Sequence, residues 1–260
     1  MKTIRTIKIS IVTVLAVLSI LVLDAAESHC ADQFERVVKS KAFKKIPCKI
    51  IKTVKIPKGY HEGLFLTDGA IWINNGKGIN TWVADIVSGN IIKEIKPVAD
   101  FTEATAAGPD GTILTTDWYE NKVYKVKIVN DTMMPEQEMF LGSAHPAGLV
   151  WNGDHIYTIT WTRSVFGTKF HLLEIDWASG KILRKLLIGN IEEPAHMAWD
   201  GKYLWITSWY KKAVYKMDVD KMELLGYFKS PVSKTTGIVW DGKYFWLTGT
   251  CSDLYQVEVG

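Results

Sequence analysis

Short apolar runs recur along the chain, and many pairs of runs are separated by Asp-Gly or Asn-Gly. The two best-preserved copies are 199–209 and 240–250, where Trp-Asp-Gly-Lys-Tyr is followed by a second apolar run. Weaker copies surround positions 68–69, 110–111 and 151–153. Asp-Gly and Asn-Gly favour the positive φ angles of tight turns, so each copy predicts a β-hairpin.

The hairpins recur at a nearly constant interval. The glycines that mark the turns are Gly69, Gly111, Gly153, Gly201 and Gly242, which gives intervals of 42, 42, 48 and 41 residues. A β repeat of this period is typical of propeller blades. The sequence therefore predicts an all-β fold, a five-bladed β-propeller, in which tryptophans within the strands pack between blades.

The N-terminal part of this repeat is expected to close the ring. Residues 49–63 match residues 90–104 at a constant offset of 41, so 49–56 corresponds to the fourth strand of a blade. The last repeat, 231–260, contains only three predicted strands. We expect the N-terminal strand to complete this last blade, because an unpaired edge would be prone to mispairing.

The chain divides into three predicted segments. Residues 1–29 have a basic start and an uncharged run at 9–23, shorter than the roughly 20 residues of a spanning helix. This pattern is typical of a cleaved secretory signal, so we expect a secreted or periplasmic protein that contacts a membrane only through an uncleaved signal. Residues 30–48 form an extension whose apolar spacing is compatible with a short helix, and 49–260 form one propeller domain.

Charge and cysteine content restrict the possible partners. The chain has 31 basic and 28 acidic residues, a formal net charge of +3, and this near balance predicts no nucleic-acid partner. The cysteines are Cys30, Cys48 and Cys251, with no CxxC pair that would indicate a zinc–thiolate site. Three is an odd number, and one hypothesis is a Cys30–Cys48 bridge with Cys251 free.

Candidate chemistry lies where two sets of loops converge at one end of the channel. One set leads into the innermost strands, and the other joins the second and third strands of each blade. Matching positions of the second set hold Trp118, Trp161 and Trp209. Three indoles around one mouth predict an aromatic-walled pocket, but capping of the blade cores is an equally good explanation.

Two glutamates, Glu62 and Glu103, occupy equivalent positions in adjacent blades. A carboxyl enclosed by indole rings has a raised pKa, which suits acid–base chemistry near neutrality. The structural alternative is a pair of hydrogen-bonded loop carboxylates. His61, His145 and His196 also map to this end and allow a metal cluster with Glu103 as a further alternative, but their spacing differs, and we expect neither metal nor cofactor.

At these loops the sequence resembles the propeller-type glutaminyl-peptide cyclotransferases. The segments that carry the resemblance are 60–64 (Tyr-His-Glu-Gly-Leu), 101–104 (Phe-Thr-Glu-Ala), 117–118 (Asp-Trp), 207–209 (Thr-Ser-Trp), 236–239 (Thr-Gly-Ile-Val), 247–250 (Leu-Thr-Gly-Thr) and 254–257 (Leu-Tyr-Gln-Val). They follow the family's order through the whole mature chain. The departures are Glu62 in place of the family Gln, Thr250 in place of Lys, and Pro194-Ala195 in place of Asn-Glu.

The resemblance implies that an N-terminal glutamine of a peptide or protein cyclises to pyroglutamate with loss of ammonia. It assigns Glu103 as the acid–base group and Trp118 and Trp209 as pocket walls. Together with the loop pattern, the expected substrate-binding residues are Tyr60, Glu62, Trp118, Trp161, Trp209 and Thr250. Two alternatives stay open: a non-catalytic secreted propeller that binds a peptide or small ligand, and a lyase- or lactonase-like propeller, suggested by residues 107–111.

Overall fold

The structure is a computed structural model that describes residues 35–67, 69–76 and 80–260. The described residues form five sheets, and the regular helical structure among them is a 3₁₀ turn at Pro109–Gly111. The predicted signal at 1–29 lies outside the described residues. No helix within the described ranges is long and apolar enough to span a bilayer.

Each sheet is one blade. The strands are numbered in chain order, and those of each blade are listed from the channel outwards. The first blade contains β3 (His61–Thr67), β4 (Ala70–Asn75), β5 (Thr81–Asp85) and β6 (Ile91–Ile95). The second contains β7 (Thr105–Ala107), β8 (Ile113–Asp117), β9 (Lys122–Val129) and β10 (Thr132–Phe140). The third contains β11 (His145–Trp151), β12 (Ile156–Ser164), β13 (Gly167–Asp176) and β14 (Lys181–Leu187).

The last two blades both recruit a strand from the N-terminal part of the chain. The fourth contains β15 (Pro194–Trp199), β16 (Leu204–Ser208), β17 (Ala213–Asp218), β18 (Glu223–Lys229) and, outermost, β1 (Val38–Lys45). The fifth contains β19 (Thr235–Trp240), β20 (Phe245–Gly249), β21 (Asp253–Val259) and β2 (Cys48–Lys55).

The innermost strands β3, β7, β11, β15 and β19 contact one another in order and close a ring around the channel. Apolar clusters fill the spaces between neighbouring sheets. Trp72, Trp205 and Trp246 are buried in three of these clusters, so the predicted role of strand tryptophans between blades is confirmed for them. The prediction of a five-bladed propeller is confirmed.

The predicted ring closure is also confirmed. Strand β2 runs antiparallel to β21, with Cys48 opposite Val259 and Lys55 opposite Asp253. Val54, only 3% exposed, lies in the apolar cluster that also contains Trp246 of the fifth blade and Ile71 of the first. The N-terminal strand therefore fills a blade interface as well as a sheet edge.

The expected short helix within 30–48 is not formed over the described residues, where 38–45 form strand β1. This strand runs parallel to β18 and covers the outer edge of the fourth blade. Phe43 stacks on Tyr227 of β18 at 5.8 Å, and buried Ile46 follows in the cluster between the last two blades. The local helix preference of a few apolar residues is weaker than the gain from pairing with the open edge of β18, which supplies both hydrogen bonds and apolar contacts.

The described cysteines, Cys48 and Cys251, have free thiols. Burial raises the pKa of the Cys48 thiol to about 11, and the Cys251 thiol donates to the carbonyl of Asp253 at 3.3 Å. Cys30 lies outside the described residues, so the Cys30–Cys48 bridge stays a hypothesis.

The repeated Trp-Asp-Gly-Lys-Tyr motif forms the turn between the first two strands of a blade. In the fifth blade, Asp241 Oδ1 accepts the backbone N–H groups of Lys243 and Tyr244 at 2.9 and 2.7 Å. Its Oδ2 accepts the ring N–H of Trp246 at 2.8 Å and the amide of Gln256 at 3.0 Å. Gly242 has φ +95°, where a side chain would be strained. One carboxylate thus links the turn to two strands.

Replacing Asp241 by alanine should lower the free energy of unfolding by about 2–3 kcal/mol, since hydrogen bonds to a charged group contribute more than neutral ones. Partial burial raises the pKa of Asp241, but its hydrogen bonds outweigh this and the pKa is lowered, so the carboxylate is charged at neutral pH. Urea denaturation measures the effect. The control is Asp154→Ala, an exposed residue of the corresponding turn in the third blade, which should change stability by less than about 0.5 kcal/mol. An equal loss of stability in both variants would contradict the role of the Asp241 carboxylate in linking the turn to two strands.

Candidate active site

The floor of the candidate site is a ring of five residues, one from each blade. They occupy the same place, just before or at the start of the innermost strand, and all line one cavity of about 190 Å³: Glu62, Glu103, Ala147, Ala195 and Thr236. In four of the blades the pairing with the next strand is irregular across this position. Such irregularities redirect side chains, which explains why the residues of these four blades point to the cavity, whereas Glu103 lies just before β7.

The ring is chemically asymmetric, because two neighbouring blades supply carboxyl groups and the other three supply small residues. The two glutamates can approach because Gly63 has no side chain: a Cβ there would lie 2.6 Å from the carbonyl oxygen of Glu103. Ala147, Ala195 and Thr236 leave the rest of the floor open. The cavity is therefore a one-sided acidic pocket rather than a symmetric channel.

The two carboxyls share a hydrogen bond and have strongly altered pKa values. Burial raises the pKa of Glu103 to about 8, although a hydrogen bond from Glu62 opposes the shift. Burial also raises the pKa of Glu62 well above its ordinary value, and the charge of Glu103 raises it further, against a hydrogen bond from Tyr60. We therefore describe Glu62 as the protonated partner, which donates to Glu103. Glu103 can then take up or release a proton near neutral pH.

Tyr60 extends this chain of hydrogen bonds. Burial raises the pKa of its phenol to about 12, and the nearby Glu62 and Glu103 raise it as well. The phenol stays protonated at any physiological pH, so it acts as a fixed donor to Glu62. When Glu103 loses a proton, a chain of two ordered hydrogen-bond donors, Glu62 and Tyr60, thus stabilises the charge that remains.

Aromatic side chains form the walls above this floor. Trp118, Trp161 and Trp209 all line the cavity, together with Phe101 and Tyr119. The Trp118 ring stacks on His145 at 4.9 Å and meets the Trp161 ring edge-on at 5.6 Å. Trp161 in turn donates its ring N–H to the carbonyl of Pro194 at 2.8 Å. These contacts fix the indoles of Trp118 and Trp161 in place beside the carboxyl pair.

The fourth-blade wall also offers a hydrogen-bond donor. Among the described residues, no partner is found for the buried ring N–H of Trp209, although the ring itself lines the cavity. Lys234 lies over the same ring at 4.9 Å, which places a positive charge at this side of the mouth. An indole N–H can only donate, so Trp209 suits a ligand carbonyl or carboxylate oxygen.

Six of the seven expected site residues thus lie around one cavity, and one does not. Thr250, in the turn after β20, is not found among the described residues that line it. Among the described residues, no three His, Cys, Asp or Glu side chains are grouped so that they could hold a metal ion, and the three histidines of the alternative cluster have other contacts. His61 bonds Asn75 at 2.7 Å, His145 stacks on Trp118, and His196 bonds the carbonyl of Ile238 at 3.1 Å. Each histidine is engaged locally.

Arg163 is a cavity residue that sequence reasoning missed. Its guanidinium lies 5.7 Å from the centre of the Trp118 ring and lines the cavity on the third-blade side. Strand β12 continues past Trp161 to Ser164. Residues two apart on a strand share a face, so extending the strand from Trp161 would have identified Arg163.

Replacing Glu62 by glutamine should stabilise the protein, and increasingly so as the pH rises. A carboxyl with a raised pKa in the folded state keeps its proton between about pH 4.5 and the folded pKa, while the unfolded chain releases it. Stability is therefore lost as pH rises through this window, and an uncharged amide avoids the loss. We expect Glu62→Gln to be more stable than the parent at pH 8, with a smaller gain at pH 6 and little difference at pH 4.

Urea denaturation of both proteins at pH 4, 6 and 8 measures this effect. Glu120→Gln, an exposed glutamate at the same end of the propeller, serves as the control and should show no such trend. A Glu62→Gln variant that is less stable than the parent at pH 8 would refute the assigned protonation.

No protein-family model matches the sequence, and no match to a curated protein sequence is found. The fold is similar to that of Myxococcus xanthus glutaminyl cyclase, with a TM-score of 0.67 over 86% of this chain and 98% of that chain. The two sequences are 13% identical, so the similarity establishes the fold alone. A catalytically inactive virginiamycin B lyase from Staphylococcus aureus, solved with quinupristin, is similar at a TM-score of 0.49, with 18% identity over 78% of this chain and 66% of that one.

Proposed function

We propose that this protein is a glutaminyl-peptide cyclotransferase that converts an N-terminal glutamine into pyroglutamate and releases ammonia. One observation carries the proposal: the hydrogen-bonded pair of Glu62 and Glu103, with a Glu103 pKa of about 8, forms the floor of a cavity walled by tryptophans. A cavity of about 190 Å³ has room for roughly one amino-acid side chain. The signal-like segment at 1–29 supports a secreted or periplasmic location.

The reaction forms one C–N bond and breaks another. The α-amine of the substrate attacks the carbon of its own side-chain amide, and the amide nitrogen leaves as ammonia. One proton must move from the attacking nitrogen to the leaving nitrogen. Glu103 is suited to this transfer, because a carboxyl with a pKa near ambient pH can both accept and return a proton. Glu62 and Tyr60 keep Glu103 oriented during the transfer.

The cavity walls suit the remaining parts of such a substrate. Packed indoles hold the aliphatic part of a glutamine side chain in one position, which favours the folded geometry that cyclisation needs. The ring N–H of Trp209 can donate to a carbonyl oxygen of the substrate. Arg163 and Lys234 lie at the mouth, where their charges can interact with a nearby carboxylate of a short peptide.

The direct test is coupled detection of ammonia released from a glutaminyl dipeptide by the purified full chain. The same dipeptide with N-terminal asparagine is the matched control, because its shorter side chain would have to form a strained four-membered ring. We expect release from the glutamine peptide only, with pyroglutamate formation confirmed by a 17 Da loss of mass. Folded protein that releases no ammonia from any glutaminyl peptide would refute the proposal.

A non-catalytic peptide-binding propeller is the second candidate, and one observation favours it. The family position for a lysine holds Thr250, which is not found along the cavity among the described residues. Calorimetric titration with a glutaminyl peptide distinguishes the two: a binder retains the peptide unchanged, whereas an enzyme releases the cyclised product.

A further inference from the structure

The hairpin of β12 and β13 in the third blade is longer than its counterparts in the other blades. The second strands of the other blades, β4, β8, β16 and β20, have five or six residues, whereas β12 has nine. Pairing between the two strands continues to Ser164 and Gly167, three residues beyond the cavity residue Trp161. At about 3.4 Å per residue, the hairpin extends roughly 10 Å beyond Trp161, and Arg163 lines the cavity along this extension.

The tip of this hairpin consists of two large apolar residues in solvent. Val165 is 94% exposed and Phe166 is 96% exposed. The turn is nevertheless ordered by Ser164, whose hydroxyl accepts the N–H of Phe166 and donates to the carbonyl of Gly167, both at 3.2 Å. Single exposed apolar residues are common, but two adjacent ones on a braced projection indicate a contact surface.

Two further aromatic residues are exposed at the same mouth. Tyr119 of the second blade packs on Phe101 at 5.4 Å, and Tyr210 of the fourth blade packs on Trp209 at 5.0 Å, so both are continuous with the cavity walls. We call the set Tyr119, Val165, Phe166 and Tyr210 the rim. These residues come from three neighbouring blades, each from the loop or hairpin joining the second and third strands. The rim is therefore a discontinuous apolar surface around the opening.

A substrate in the cavity must continue across the rim. The cavity accommodates about one side chain, so the rest of a bound polypeptide extends past its mouth. The first residues outside the cavity then lie within reach of the hairpin tip, given its roughly 10 Å extension beyond Trp161. Apolar side chains at these positions would cover Val165 and Phe166 and remove apolar surface from water.

We propose that the rim binds the extended segment following the first residue of a polypeptide substrate and prefers apolar or aromatic side chains there. This inference rests on the proposed function and narrows its substrate class to longer peptides and protein N-termini. Free glutamine and dipeptides fill the cavity without reaching the hairpin tip. A lipid surface is the competing occupant of an apolar tip, and the experiment separates the two.

The experiment compares kcat/KM for three substrates: a glutaminyl dipeptide, a glutaminyl hexapeptide with phenylalanine and leucine at positions three to five, and the same hexapeptide with serine there. The variant is the double substitution Val165→Ser and Phe166→Ser. The control is Val87→Ser, an exposed residue in the β5–β6 turn at the opposite end of the propeller.

For the wild type we expect kcat/KM to be about tenfold higher for the apolar hexapeptide than for the other two, the ratio that partial burial of two side chains supports. The double variant should lose most of this advantage and keep its dipeptide activity within about twofold. Val87→Ser should leave all three values unchanged. Two results would overturn the proposed role of the rim. One is an equal kcat/KM of the wild type for all three substrates, and the other is an equal loss of kcat/KM for all three in the double variant.

Two further measurements keep the inference separate from the proposed function. If the wild type turns over none of the peptides, the proposed function fails, and fluorescence anisotropy of a labelled apolar hexapeptide tests the rim alone. Weaker binding by the double variant than by Val87→Ser then supports the rim, and equal binding overturns it. The wild type is also sedimented with phosphatidylserine vesicles. If this sedimentation depends on Val165 and Phe166 while the double variant leaves hexapeptide binding or turnover unaffected, the tip binds a lipid surface and the proposed role of the rim is overturned.

Discussion

Replacing Glu103 by glutamine should lower kcat for ammonia release from a glutaminyl peptide by about 10²–10⁴-fold, the usual effect of removing a general acid–base. The amide has nearly the same size and can still accept the hydrogen bond from Glu62, so folding and peptide binding should persist. It cannot carry the proton from the attacking amine to the leaving nitrogen. Steady-state kinetics together with calorimetric titration of a glutaminyl peptide measure both halves of this expectation.

The matched control is Glu120→Gln, which makes the same chemical change at an exposed position near the mouth. It should leave kcat within about twofold of the parent. A Glu103→Gln variant that keeps full turnover would remove Glu103 from the mechanism. A variant that loses peptide binding as completely as turnover would instead assign Glu103 a binding role.

Replacing Val54 by aspartate should lower the free energy of unfolding by roughly 3 kcal/mol or more, because it buries a carboxylate without a partner. Val54 is the closing strand's contribution to the apolar cluster between the fifth and first blades. The charge therefore weakens the interface between the fifth and first blades, where the ring closes. Guanidinium denaturation followed by tryptophan fluorescence measures the loss.

Thr53→Asp is the control for this substitution, since Thr53 is the adjacent residue of β2 and its side chain is exposed. The backbone pairing with β21 is the same, so its cost should stay below about 1 kcal/mol. If both variants lose the same stability, the closing strand acts through its backbone hydrogen bonds and not through the packing of Val54 between the blades.

Local signals predicted most of the fold. Asp-Gly and Asn-Gly pairs mark turns because few residues tolerate positive φ, and their spacing of about 42 residues reports the length of one blade. The offset match of 49–63 with 90–104 was sufficient to predict which strand closes the ring. The same register predicted that Glu62 and Glu103 occupy equivalent positions in their blades, and that the three loop tryptophans do so at a second position. The structure places both sets around one cavity.

Other features depend on contacts between distant parts of the chain, which a local pattern does not contain. Residues 38–45 became a strand because the edge of β18 was available, although their own spacing suggested a helix. Arg163 entered the cavity because β12 continues further than its counterparts, whereas Thr250 fell outside it. The three histidines that map to this end do not converge, because each has a nearer partner.

The sequence by itself thus determined the blade count, the turns, the closing strand and the residue types that surround the mouth. It did so because these follow from backbone preferences and from repetition within the chain. Only the tertiary structure decided that Glu62 and Glu103 share a hydrogen bond and that Arg163, rather than Thr250, lines the described cavity. Those properties depend on desolvation and on distances across blade boundaries, and both exist only once the ring has closed.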